Sequence, residues 1–415
     1  MTNLDDISLY DFSLPENFIA NKLQEPPDHC KLLVYDRKNQ TISHHKFYDI
    51  KDFIHPRDVL FFNDTRVIKA RLYTKDHIFV KHTGKLYKNR NREMFYIRSI
   101  DQSHHIFMAQ PWPKFTIWSK IIIQDGTQEH ILEVVDDIDN AKVIKYDGDI
   151  FALLEKYWQM PLPHYITDPL YPDRYQPITA HPDKFGSVAS PTATLHFTKK
   201  LISDIKDNGV EVEYITLHIG LGTFQPIYTS RIQDHDIHTE SVQVEIDVFR
   251  KIYNYHHKKR SVIATGTTTC RTLESLALLY EVIKNKDTKL YQKLDLDKEI
   301  ASYRETKCKN ICDYYRDHFE KYNLYEDKQI AEEIISYIGY NEDTQIIDFE
   351  TKIYIVPSYN MQVVDKLITN FHLPKSSLFI MISSIIGIDK ALSCYKEAIK
   401  KDYKFYSLGD AMMVI

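Results

Sequence analysis

Four stretches set a histidine among small and hydroxyl-bearing residues inside an apolar frame: SVASPTATLHF (187–197), TLHIGLGTFQPI (216–227), HDIHTES (235–241) and TNFHLP (369–374). Imidazole changes charge near neutral pH and serves as general acid or base. One buried histidine is more often a satisfied core residue, but four of them in turns rich in Gly, Thr and Pro point to a shared pocket. The candidates for proton transfer are His196, His218 and His372, followed by His238 and Glu240. Thr192 and Asn370 are hydrogen-bonding neighbours in the same stretches. Gly220 and Gly222, with Thr223 beside them, would let a ligand lie close to the backbone. The third glycine of a dinucleotide fingerprint is absent. His235, His238 and Glu240 are metal-ligand types at short spacing, although they do not match the helical HExxH pattern, so a metal-dependent hydrolase is one alternative.

A fifth stretch, RSVIATGTTTCRTLESLALLYEVI (260–283), reads as strand, tight turn and helix, with Leu273, Leu276, Ala277 and Tyr280 at i, i+3, i+4 and i+7. A helix start leaves backbone N–H groups unpaired. With the hydroxyls of Thr267, Thr268 and Thr269 it can receive a carboxylate or a phosphate, or cap itself.

The elements that must position these residues follow from the hydrophobic pattern. KLLVYDR and DVLFFND read as buried strands, and Phe197 to Asn208 as a helix. VEVEYITLHIG and RSVIATG read as strands flanking a helix in EIDVFRKIYNYHH, an α/β order. TKIYIVPSYN reads as a further strand, and DKALSCYKEAIKKDYKF as an amphipathic helix with Ala391, Leu392, Tyr395, Ala398 and Ile399 on one side. Between Arg66 and Tyr146, short β-rich runs alternate with polar turns and suggest a small barrel or sandwich. FALLEKYWQ is then a helix, and MPLPHYITDPLYPDRYQP a proline-punctuated loop of the kind that lines sites. The expected organisation is a larger α/β domain over 1–65 and 151–415 with an inserted antiparallel β-barrel domain over 66–150. Residues 281–350 read as an acidic helical insertion.

The chain has 415 residues, 43% hydrophobic and 27% charged, which suits packed cores and excludes disorder. No basic leader with an apolar stretch is visible, and the apolar run Leu378–Ile388 is too short to span a bilayer, so a cytoplasmic protein is expected. Five cysteines, an odd count without paired metal spacing, fit a reducing compartment; Cys308 and Cys312 share a helix face. Of the net charge of −5, residues 281–350 hold −6, leaving the rest near neutral. Local basic runs, Lys81 to Arg98 with Tyr87 and Tyr96, and HHKKR at 256–260, suit either a phosphate backbone or solvated edges.

Seven blocks together, FFNDTRVIKARL, SVASPTATLHF, LHIGLGTFQPI, HDIHTE, ATGTTTCRTLES, LITNFHLPKSSL and YKFYSLGDAM, resemble in order and spacing the S-adenosylmethionine:tRNA ribosyltransferase-isomerase family of queuosine biosynthesis. The resemblance covers nearly all of the chain except the insertion. It implies a monomeric enzyme with an α/β domain and an inserted β-barrel. The implied reaction moves the ribosyl part of S-adenosylmethionine onto the aminomethyl group of a 7-deazaguanine at the tRNA wobble position, giving epoxyqueuosine and releasing adenine and methionine. S-Adenosylmethionine is then a consumed substrate, with tRNA as partner and no metal or redox cofactor. In that chemistry Asp64 or Asp410 would steady positive charge at C1′, and Arg66 or Arg271 would hold the methionine carboxylate or a tRNA phosphate. The chain departs from the family pattern at Ser190, where alanine is expected, at Thr194, where glycine is expected, and at Lys31, where an arginine is expected. A noncatalytic tRNA-binding homologue is the alternative these departures raise.

Overall fold

Strand Val59–Asn63, VLFFN, is buried on both faces: Phe61 packs into one apolar cluster, Leu60 and Phe62 into another. Such two-sided burial is the mark of a central strand in an α/β sheet, and it explains a run without polar alternation. The structure, a computed structural model, describes residues 3–74, 77–87, 92–110, 115–126, 128–138, 141–163, 165–166, 174–220 and 226–415.

Ten strands make the main sheet: β1 (Lys31–Asp36), β2 (Thr41–Lys46), β3 (Val59–Asn63), β4 (Glu211–His218), β5 (Glu240–Glu245), β6 (Val262–Thr265), β7 (Ile335–Asn341), β8 (Ile346–Thr351), β9 (Lys366–Asn370) and β10 (Ala411–Val414). Their spatial order is β7-β8-β5-β4-β3-β6-β9-β10-β1-β2. The centre β4-β3-β6-β9 is parallel, and β10 runs antiparallel to β9. Consequently the carboxyl ends of four strands and the chain entering β10 meet at one edge, where open α/β sheets hold their ligands.

Over that sheet lies the helix Thr267–Lys286, of whose residues sixteen are buried, so it is a central helix and not an amphipathic surface one. Helices Lys298–His318 and Asp327–Ile334 cover it. The stretch 281–350 therefore differs from the expected helical insertion at its C-terminal end. Ile335–Asn341 and Ile346–Thr351 form a hairpin on the sheet edge, their Ile and Tyr alternation flanking the NEDTQ turn. TKIYIVPSYN is buried but is a strand only at Thr351. Its backbone is held by side chains instead: the Tyr315 hydroxyl accepts from the Tyr354 N–H and Thr351 Oγ1 from the Ile353 N–H, while just beyond it the Glu274 carboxylate accepts from the N–H groups of Gln362, Val363 and Val364.

Among the described residues, a second sheet of eight antiparallel strands lies between Arg71 and Lys145 around its own core, which includes Met94, Phe107, Ile121, Leu132 and Trp158. Its end strands, Arg71–Tyr73 and Leu86–Tyr87, do not pair with each other among the described residues, and the sheet curls into a half-barrel, the coarser form of the expected barrel. Arg92 of the basic run is buried, its guanidinium 3.8 Å from the Phe79 ring centre, and it is not placed for a phosphate; Lys88 and Arg90 lie outside the described residues. Arg260 of HHKKR is paired with Glu211. All five cysteines are free and buried, with Cys308 and Cys312 sulfurs 3.8 Å apart. No single helix among the described residues is long and apolar enough to cross a membrane.

Candidate functional site

Three of the sequence-predicted stretches converge at the carboxyl edge of the parallel strands. β9 ends in Thr369 and Asn370, β6 ends in the Gly266–Thr267 turn, and the segment 187–197 crosses between them. Serine hydroxyls and backbone fix that crossing: the Ile219 N–H donates to Ser187 Oγ at 2.9 Å, and the Val188 N–H donates to the Ile219 carbonyl at 3.0 Å. Together they enclose a small cavity lined by Ser190, Pro191, Thr192, Ala193, Ile219, Gly266, Thr267, Thr268, Thr369, Asn370, His372, Leu378, Tyr406 and Ser407. A second, more apolar pocket of about 240 Å³ adjoins it. The two share His372, Leu378 and Tyr406. No residue of 281–350 lines either.

Asn370 organises the wall. Its amide Nδ2 donates to His196 Nε2 at 3.0 Å, and its Oδ1 accepts from Thr192 Oγ1 at 3.2 Å. Since His196 Nε2 accepts, its proton sits on Nδ1, which faces Cys30 Sγ at 3.3 Å. His196 is fully buried and does not line the cavity. Burial drives its pKa down to about 4, so it is a neutral strut that orients Asn370. His372 is different: it lines both pockets, its Nε2 is 2.9 Å from Thr369 Oγ1, and its backbone N–H donates to the Tyr395 hydroxyl. Burial lowers its pKa to about 3.

Other candidates stand apart from this cavity. Successive strand residues point to opposite faces, so Ile219 lines the cavity while His218 turns to Thr65, whose Oγ1 is 2.8 Å from its Nδ1. Gly186 lies against that ring, and a Cβ there would come within 3.1 Å of His218 Nδ1. Burial, assisted by Lys184, lowers the His218 pKa to about 4. Asp64 accepts from Thr216 Oγ1 at 2.7 Å beside it, and burial raises its pKa. Arg66 pairs its backbone with Phe185 and lines a separate hollow with Lys69 and Glu155.

Arg271 and Glu240 form a buried ion pair, with His238 Nε2 3.3 Å from the other Glu240 oxygen. The Arg271 Nε donates to the Ile353 carbonyl. This cluster fastens the central helix to β5, and neither Arg271 nor Glu240 lines the cavity. It also occupies the donor set of the metal reading, and no group of three His, Cys, Asp or Glu among the described residues could hold a metal ion. Asp410 accepts from the backbone N–H groups of Lys31 and Lys404, closing the turn before β10 rather than facing the cavity; burial raises its pKa. Lys31 Nζ donates to the carbonyls of Lys401 and Asp402. Among the described residues a Cβ at Gly220 would meet nothing within 4 Å; Gly222 and Thr223 lie outside the described residues.

Tyr406 and Ser407 were not singled out in the sequence, although the YKFYSLGDAM block contains them. They reach the site because β10 pairs antiparallel with β9, which brings the chain before Ala411 beside Asn370. The Tyr406 N–H donates to the Phe371 carbonyl, and Tyr406 holds φ +76°, a left-handed conformation costly for a bulky residue. Of the departures, Ser190 lines the cavity, whereas Thr194 is buried behind it.

These histidines also set an acid response. In the unfolded chain each titrates near pH 6.5, whereas His196, His218 and His372 stay neutral in the fold down to about 4, 4 and 3. Below pH 6.5 the unfolded chain binds protons that the native one refuses, so stability present above 6.5 is lost as pH falls. The loss is about 1.4 kcal/mol per pH unit for each histidine until its folded value is reached. Urea denaturation from pH 7.5 to 5 is expected to show a falling midpoint; a constant or rising one contradicts the buried neutral assignment.

Comparison with known proteins gives this arrangement its kinship. The family model described as "Queuosine biosynthesis protein" matches residues 7–301 and 330–414. The unmatched segment, 302–329, lies in the helices covering Thr267–Lys286 and is shorter than the expected insertion. Curated proteins named S-adenosylmethionine:tRNA ribosyltransferase-isomerase are similar to the chain nearly end to end. That of Sulfurihydrogenibium sp. is 34% identical over 99% of this chain and 99% of its own, and that of Halothermothrix orenii 34% identical over 98% of each. That of Clostridioides difficile is 33% identical over 98% of each. A solved S-adenosylmethionine tRNA ribosyltransferase from Thermotoga maritima aligns over 98% of this chain and 100% of its own at 22% identity, with a TM-score of 0.46. With a family model covering most of its length and relatives above 30% identity across nearly all of it, the chain belongs to the queuosine biosynthesis family of S-adenosylmethionine:tRNA ribosyltransferase-isomerases.

Proposed function

We propose that this chain transfers and isomerises the ribosyl moiety of S-adenosylmethionine onto the 7-aminomethyl-7-deazaguanine wobble base of tRNA, giving epoxyqueuosine with release of adenine and methionine. It does so as a cytoplasmic monomer that consumes S-adenosylmethionine and needs no resident metal or redox cofactor. The observation that carries the reading is the near full-length identity to enzymes of that name, joined to a cavity formed by the blocks that carry the resemblance.

The chemistry asks for a base at C5′, whose hydrogen is acidified by the neighbouring sulfonium, and for a proton at departing adenine. His372 is the cavity-lining imidazole, and it enters the reaction neutral. Its conjugate acid, disfavoured by burial, gives the proton up readily. Thr192 and Asn370, fixed by His196, hold polar atoms of the substrate.

Incubating the protein with S-adenosylmethionine and tRNA carrying the aminomethyl base is expected to release adenine and methionine in step with modified nucleoside. Tight tRNA binding with no adenine released would establish the noncatalytic alternative and overturn the assignment.

A further inference from the structure

Helix Thr267–Lys286 begins at Gly266, in a left-handed conformation with φ +92°, and no side chain caps it. A side chain at this position would be strained, and the usual Ser, Thr, Asn or Asp cap is therefore missing. The first-turn N–H groups start within the cavity wall, which Gly266, Thr267 and Thr268 line. The hydroxyl of Thr269 is spent on the Thr265 carbonyl and does not compete for them.

A second feature points into the same space. Ser190 is 1% exposed, lines the cavity, and its Oγ has no hydrogen-bond partner among the described residues. A buried hydroxyl left unpaired is costly, and such groups call for a polar ligand. Among the described residues no Arg or Lys lines this cavity. The donors at this space are thus backbone N–H groups and a hydroxyl, with Arg271 engaged by Glu240.

Resting on the function proposed above, we infer that the uncapped helix start at Thr267 and Thr268, with the Ser190 hydroxyl, is the subsite for the α-carboxylate of the methionine part of S-adenosylmethionine. The enclosed, small cavity suits a terminal carboxylate better than a phosphodiester, which continues as chain on both sides. From this anchor the sulfonium and C5′ pass His372, shared by both pockets, and the purine enters the apolar pocket lined by Leu14, Ile19, Pro226 and Leu373. Ser190 replaces the family's alanine, so its hydroxyl adds a contact particular to this chain.

The test is calorimetric binding of S-adenosylmethionine and of its decarboxylated analogue to wild type and Ser190→Ala, a substitution the family pattern tolerates. Wild type is expected to bind the analogue at least tenfold more weakly. Ser190→Ala is expected to weaken S-adenosylmethionine about tenfold, the scale of a hydrogen bond to a charged group, while leaving the analogue unchanged. Equal binding of both ligands by wild type, or equal weakening of both by the substitution, overturns the carboxylate subsite while leaving the enzymatic reading intact. So does loss of tRNA affinity with S-adenosylmethionine affinity unchanged, which would assign the subsite to a phosphate. Failure of wild type to bind S-adenosylmethionine at all refutes the proposed function itself.

Discussion

The variant His372→Ala is expected to fold, to bind S-adenosylmethionine near wild-type affinity, and to lose roughly 10²–10⁴-fold in kcat, the usual worth of a positioned acid–base group. Of the five proton-transfer candidates, His372 alone lines the cavity. Its binding neighbours, the helix start, Ser190, Thr192 and Asn370, keep their places without it. The loss should therefore appear in kcat more than in KM. Removing the ring also frees Thr369 Oγ1 from its 2.9 Å contact, a modest cost in stability separable by measuring denaturation alongside turnover. Since the folded pKa is about 3, the wild-type acid limb should not fall at the ordinary histidine value near 6.5 on account of this residue. A folded His372→Ala protein with wild-type turnover would remove His372 from the reaction.

The second large effect belongs to stability. Arg271→Met is expected to destabilise the fold by about 3–5 kcal/mol, because it leaves the fully buried Glu240 carboxylate without its guanidinium partner. His238 cannot take over both oxygens, being bound to one of them at 3.3 Å. Replacing Arg271 and Glu240 together by apolar residues should recover much of the loss, since breaking a buried pair costs more than removing it. Urea denaturation of the single and double variants measures both. A single variant of wild-type stability but raised KM for S-adenosylmethionine would return Arg271 to the substrate, where the sequence alone had placed it.

That contrast shows what the sequence could carry. VLFFND and RSVIATG were legible as strands because burial on both faces demands an unbroken apolar run, and Thr267–Lys286 as a helix because its spacing follows the helical period. His372, Asn370, Thr267 and Thr268 were legible as candidates because turns after parallel strands gather at one edge, and with Thr192 they line one cavity. The division among the histidines was not. Whether His218 or Ile219 faces the cavity depends on which side of the strand the turn begins, and His196 became a strut only through Asn370 and Cys30, 174 and 166 residues away. Arg271 and Asp410 have the residue types of a binding site, yet their partners are Glu240 and two backbone N–H groups that no local motif announces. TKIYIVPSYN read as a strand by composition, but the Tyr315 and Thr351 side chains take the place of a neighbouring strand. The edge hairpin Ile335–Thr351 was hidden by the acidic residues of its turn and flanks.

The central claim is that the turns after β6 and β9, the 187–197 segment and the chain before β10 enclose S-adenosylmethionine. Its most direct test is a crystal structure with that molecule bound. The expected result places the carboxylate at the start of helix Thr267–Lys286, C5′ within contact of the His372 ring, and the purine beside Leu14 and Leu373. Density for the ligand anywhere else, such as the lysine-lined depression around Asp410, with the His372 cavity untouched, would contradict it.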